Sequence, residues 1–231
     1  MLKFDHVTDY TSIEATQSLV LDDATLDIPS GRYALLVDRH DIRRIAVNLL
    51  CGTRLPKHGA ILRDGHSSWP IGRMSLFRNT LTGRDVLTLI CRIHGLPLDA
   101  TEEWAIETVG YPDLMEKRIR DWPPQQRSDF SFALGLLPSF HTYVFDRQLP
   151  LANQPFGAMW WELFEKRVGE RLAIISSVNR IQLLSCCNRA LIFAEREILI
   201  DDDLERAINR YPPEIAVRPR EDDEDSPEDE F

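Results

Sequence analysis

Glycine is missing where a phosphate-binding turn would need it: none occurs between Asp38 and Cys51. Long apolar runs are missing too. No stretch approaches the roughly 18 apolar residues that cross a bilayer. The opening MLKFDHVTDY lacks the apolar core of a leader segment. Cysteine is scarce, with four residues, Cys51, Cys91, Cys186 and Cys187, at spacings that suit neither a redox CxxC pair nor a zinc site. They are expected to be buried free thiols. The six histidines form no H-x-x-x-H grouping, so a metal centre is not expected. Ser176 and Ser177 lack a surrounding G-x-S-x-G elbow, which removes a serine-hydrolase reading.

What is present is ordinary for a globular chain: 43% hydrophobic and 28% charged residues over 231 positions. The formal charge of −10 is unevenly placed. From Pro212 the chain reads PPEIAVRPREDDEDSPEDEF, nine acids against two arginines, which accounts for −7. Such a block repels itself and buries nothing, so residues 212–231 are expected to be a disordered acidic tail. The acidity also argues against a nucleic-acid partner. Cytoplasmic placement, peripheral on the inner face of the membrane, is the expectation.

Hydrophobic periodicity places the elements. Leu2 to Val7 and Leu19 to Ile28 read as antiparallel strands around a polar loop, Asp9 to Gln17. Gly59 to Leu62 reads as a short strand, and His66 to Pro70 as a strand or loop. Helical spacing follows in Asp85 to His94, with Val86, Leu89, Ile90 and Ile93 on one face. Asp99 to Val109 opens with a capping-box pattern, Asp99-x-x-Glu102. Ser128 to Leu137 is a third helix. Tyr143 to Arg147 and Leu172 to Ser176 read as buried strands. Phe156 to Arg171, Arg180 to Cys187 and Leu204 to Tyr211 are helical, and Ala190 to Phe193 with Glu197 to Ile200 forms a hairpin. Trp160 and Trp161 belong to core and rim packing. Buried strands alternating with helices predict an α/β fold with a mainly parallel sheet. One domain spans 1–211, with a helical subdomain over about 84–141.

The stretch Arg32 to Gly59 has the order strand, turn, helix, the frame of a P-loop. A working P-loop reads G-x-x-x-x-G-K-[ST]. Here the two glycine positions fall on Val37 and Ile42, the lysine on Arg43 and the hydroxyl on Arg44. A Cβ in that turn crowds the backbone amides that wrap phosphates. Asp38 and Asp41 place carboxylates where phosphates would lie. Arg39, Arg43 and Arg44 could instead form an anion site at the helix start, or pair with Asp38, Asp41 and nearby carboxylates on a solvated turn.

The stretch SSWPIGRMSLFRNTLTGRDVLTLICRIHGL, Ser67 to Leu96, resembles the ATP-binding subunits of ABC transporters of the capsular and O-antigen polysaccharide exporter type. Trp69, Pro70, Gly72, Phe77, Leu81, Thr82, Gly83 and Arg84 carry the match. The order and spacing of about residues 1–211 are similar as well. The resemblance implies a P-loop NTPase-like ABC nucleotide-binding-domain fold, with an N-terminal antiparallel β region and a helical subdomain. It places Arg78 at the Q-loop glutamine, Trp122 to Gln126 at the signature, Asp146 and Arg147 at the Walker B aspartate and catalytic glutamate, and Val178 at the switch histidine.

These departures together lead to the expectation of a pseudo-ATPase, not an enzyme, with neither ATP nor Mg²⁺ as an expected cofactor. Tyr10, at the adenine-stacking position, with Arg43, Arg44 and Asp146, forms the set of remnant candidates. Each also has a packing role open to it: an edge tyrosine, solvated ion pairs, a strand-end hydrogen bond. The resemblance implies a membrane permease as partner, docked through Arg78, Leu81, Arg84 and Leu87, and an active ABC subunit or a second copy as pairing partner. Two other readings are a scaffold protein on a retired P-loop fold, and an ATP-hydrolysing subunit with atypical motifs.

Overall fold

The computed structural model describes residues 1–11, 18–73 and 80–213. Its strands are β1 (Leu2–Tyr10), β2 (Leu19–Ile28), β3 (Gly31–Val37), β4 (His58–Arg63), β5 (Ser67–Ile71), β6 (Thr142–Asp146), β7 (Leu172–Ser176), β8 (Arg189–Ala194) and β9 (Glu197–Asp201). Its helices are α1 (His40–Cys51), α2 (Gly83–His94), α3 (Leu98–Val109), α4 (Pro124–Gly135), α5 (Pro155–Val168), α6 (Arg180–Cys186) and α7 (Leu204–Arg210). Two 3₁₀ turns, Pro112–Leu114 and Ile119–Asp121, join α3 to α4.

The central sheet has the order β5-β6-β7-β3-β8-β9, parallel except for the antiparallel β9 edge. β6 and β7 are buried at every position. That double burial is why their sequences run apolar without alternation. Alternation survives in where the side chains go. Tyr33, Leu35 and Val37 of β3 face one core with α1 and the small sheet. Ala34 and Leu36 face the opposite core, built on Trp160, Phe164 and Leu183.

The small sheet, β2-β1-β4, is antiparallel. Two arginines tie it to α1. The Arg54 guanidinium donates to both oxygens of buried Asp9 (2.6 and 2.9 Å) and to the Tyr10 carbonyl (2.7 Å). Arg63 donates to the Leu49 carbonyl (2.5 Å) in the last turn of α1, satisfying an acceptor the helix leaves open. Gly59 has φ +75°, and a Cβ there would lie 2.1 Å from the His6 carbonyl oxygen, so the β1–β4 approach requires glycine.

Residues 83–137 carry a third core, around Val86, Leu87, Ile90, Ile119, Trp122 and Phe130. Two expectations are corrected here. The inward face of α2 is Val86, Leu87, Ile90 and Cys91, while Leu89 (43% exposed) and Ile93 (67%) point outward. Both stripes have helical spacing; the burial of Cys91 and Leu87 decides the phase. The capping box is at α2, where Thr82 Oγ1 accepts from the Asp85 amide (3.1 Å) and Asp85 accepts from the Thr82 amide (2.9 Å). The helix after Asp99 starts earlier, behind Pro97, with no side-chain cap. Glu102 is drawn instead to Arg84 across the unit (2.6 Å).

The four cysteines are free and buried. Among the described residues no group of His, Cys, Asp and Glu could hold a metal ion, and no helix is long and apolar enough to cross a membrane. Most of the acidic tail lies outside the described residues.

Arg32 pins β3 to α5 through a two-pronged contact with Glu165 (2.8 and 2.5 Å), and its guanidinium lies 5.1 Å from the centre of the Phe164 ring. The Arg32 contact holds the Glu165 carboxyl below its ordinary range. A carboxylate with a depressed folded pKa adds stability above its unfolded pKa and loses it as pH falls through the folded value. Melting temperature should therefore drop between about pH 5 and pH 3 more steeply in the natural chain than in Glu165→Gln. Parallel slopes would show that the pair contributes nothing.

Candidate functional site

Ligands of open α/β sheets bind beyond the carboxyl ends of the parallel strands. Here that edge is formed by Val37 of β3, Ile71 of β5 and Asp146 of β6. The Asp146 side chain is fully buried. Arg43, one turn into α1, donates to its Oδ1, and Arg73, just after β5, forms an ion pair with its Oδ2. That second contact lacks hydrogen-bond alignment. Arg147 stands next in the chain and is exposed. Burial pushes the Asp146 carboxyl upward, and the charges of Arg43, Arg73 and Arg147 oppose that push.

The turn before α1 meets the expectation of solvated ion pairs at Arg39 and Asp41 only. Asp38 turns away and accepts from the Glu195 amide (2.8 Å), and Asp41 pairs with Arg39 (3.5 Å). Arg43 does not pair on a solvated turn but crosses to Asp146, 103 residues away. The expected strand-end hydrogen bond of Asp146 is a buried ion cluster. Arg39 occupies the N-cap of α1 without a side-chain cap bond, so that helix start has no capping acceptor.

The remnant candidates do not all converge. Arg43 and Asp146 meet. Arg44 is exposed on α1, and Tyr10 ends β1, where its carbonyl is held by Arg54. Arg73 was missed by sequence reasoning; its one signal was its place directly after the W-P-x-G run. That run has structural work as well. Trp69 packs on His94 and Phe140 (ring centroids 6.1 and 5.4 Å), joining β5 to α2. Gly72 has φ +98°, and a Cβ there would come within 3.0 Å of Phe132. A depression of about 480 Å³, lined by residues including Met1, Asp64, His141 and Lys166, includes none of the cluster.

The expected docking residues are placed as follows. Leu87 is fully buried in the helical core and cannot meet a partner. Arg84 pairs with Glu102 and Glu116 (2.6 and 2.7 Å). Leu81 is partly buried against the same core. Arg78 and Phe77 lie outside the described residues.

No family model matches the chain. Solved structures do. A dimeric bacterial ABC transporter cassette, MJ0796, superposes with a TM-score of 0.68, covering 87% of this chain and 98% of the other at 12% identity. An ATP-binding subunit of an ABC transporter gives 0.67, covering 92% and 95% at 14% identity. The fold is that of an ABC transporter cassette. Among curated relatives, the capsule polysaccharide export ATP-binding protein CtrD of Neisseria meningitidis serogroup B is 24% identical over 213 residues, 91% of this chain and 98% of the relative. ATP-binding protein BexA of Haemophilus influenzae matches to the same extent. The polysialic acid transport ATP-binding protein KpsT of Escherichia coli is 22% identical over 215 residues. The resemblance carried by Trp69 to Arg84 is thus borne out.

The same relatives correct the expectation that this cassette is not an enzyme. They are named as ATP-binding proteins and are matched along nearly their whole length, so the missing motifs do not set this chain apart from them as a non-enzyme.

Two groups implied by such a cassette can be weighed against its residues. A nucleotide polyphosphate finds guanidiniums at the sheet edge, and these fit its charge. A divalent cation does not fit. It needs oxygen ligands, but both Asp146 oxygens face arginines, and the position of the hydroxyl ligand carries Arg44.

Proposed function

We propose that this chain is the ATP-binding subunit of a polysaccharide-export ABC transporter, working at the inner face of the membrane with a permease and a second cassette. The observation that carries the reading is end-to-end similarity: one relative named for capsule polysaccharide export, one named for polysialic acid transport and a third named as an ATP-binding protein each match 91% of this chain and 96–98% of their own lengths. The helical unit of residues 83–137, with its own core, and the outward Leu89 and Ile93 of α2 supply surface for membrane partners. This face replaces Leu87 as the candidate contact. Arg147 cannot accept a proton as a carboxylate would. It can neutralise charge on a phosphoryl group.

An in-frame deletion in the source organism tests the reading. Surface polysaccharide should be lost and restored by the natural chain, and solubilised transporter from the complemented strain should turn over ATP. Undiminished surface polysaccharide in the deletion strain would refute it.

A further inference from the structure

Two guanidiniums, those of Arg43 and Arg73, hold one carboxylate at the carboxyl edge of the sheet, and exposed Arg147 follows it in the chain as a third positive charge, in a chain whose formal charge is −10. The local excess of positive charge is therefore a feature of the site and not of the surface at large. Asp146 is fully buried, yet the Arg43 and Arg73 side chains are 23% and 15% exposed, so neither is sealed off from outside. The acids of the turn have partners of their own, one Asp38 oxygen the Glu195 amide and Asp41 the neighbouring Arg39. The uncapped start of the 12-residue α1 adds amide donors and the positive end of a helix dipole.

We propose that this cluster binds the polyphosphate of a nucleotide without a divalent cation. The proposal rests on the subunit reading above and concerns how its nucleotide is held. A divalent ion in such a site has two tasks, bridging the phosphates to a protein carboxylate and neutralising their charge. Both tasks are occupied by arginine here. The carboxylate is already neutralised by Arg43 and Arg73, and an incoming ion would have to displace buried charge pairs to reach an oxygen. Phosphate oxygens can take the guanidinium N–H groups that point away from Asp146, because each guanidinium offers five donors in a planar fork. Side chains thus supply the grip that backbone amides cannot give in a turn without glycine.

The test is isothermal titration of ADP, and separately of inorganic tripolyphosphate, into the full chain in Mg²⁺ buffer and in EDTA. Dissociation constants within about twofold of one another in the two buffers are expected. Exposed Arg147 can be changed without touching the buried pair, and Arg147→Gln should weaken tripolyphosphate binding about tenfold in both. Binding at least about tenfold tighter with Mg²⁺ would overturn the proposal. So would unchanged affinity in Arg147→Gln, or the absence of binding in both buffers. None of these outcomes touches the export phenotype, which judges the subunit reading separately.

Discussion

Replacing both Arg43 and Arg73 by methionine is expected to destabilise the fold by about 3–5 kcal/mol, because it leaves the Asp146 charge buried without a partner. The size of that loss reflects the stranded charge more than the net contribution of the pairs. Adding Asp146→Leu to the double variant should therefore recover most of it, since a buried ion cluster replaced by apolar residues of similar volume is often close to neutral. The cost in the double variant should also shrink on acidification. An unpaired buried carboxyl has a raised folded pKa, so the folded state takes up a proton that the unfolded state binds less tightly. Guanidinium denaturation of the natural chain and the two variants checks all three statements. Equal stability of natural and double variants would mean that Asp146 is not confined as described.

Trp160→Ala carries a comparable expected loss, about 3–5 kcal/mol, for a different reason. The indole is fully buried, with ring centroids at 5.6 Å from Phe132, 5.8 Å from Phe145 and 5.2 Å from Phe164. Its Nε1–H donates to the Phe132 carbonyl at the end of α4 (3.1 Å). Truncation leaves a cavity between α5 and the sheet and an acceptor without its donor. Trp161, whose ring lies at the rim and whose Nε1–H reaches the Pro150 carbonyl (2.9 Å), should cost less when changed to alanine. A reversed order in urea midpoints would show that the two rings have been assigned to the wrong roles.

The central strands were legible because double burial writes itself as an unbroken apolar run. Leu172 to Ser176 was read with its observed bounds, and β6 was read one residue late, as Tyr143 to Arg147 against Thr142–Asp146. The third strand of the small sheet was visible only as a short segment. Its pairing with β1 depends on Gly59 meeting the His6 carbonyl, a contact across 53 positions of chain. The phase of α2 was misread because Leu89 and Ile93 are as apolar as the residues that turn inward. Periodicity alone cannot say which of two stripes finds a core. The site shows the same limit more sharply. Loss of glycine at Val37 and Ile42 is local and was read from the turn itself, whereas the destination of Arg43 is set by topology. Parallel packing of β3, β7 and β6 brings α1 to the end of β6, and no spacing rule announces that two arginines will close on Asp146 there. Reading loss of activity from absent motifs failed for a related reason. Five departures taken together outweighed the rest of the chain in that reading, while the end-to-end match to relatives named as ATP-binding proteins is not written in any one motif.

Affinity purification of the tagged natural chain from detergent-solubilised membranes of its own source, with the retained proteins identified by mass spectrometry, tests the central claim most directly. A stoichiometric permease with about six hydrophobic spans should come through with the chain. Recovery of the chain from the soluble fraction alone, with no membrane subunit retained, would contradict it.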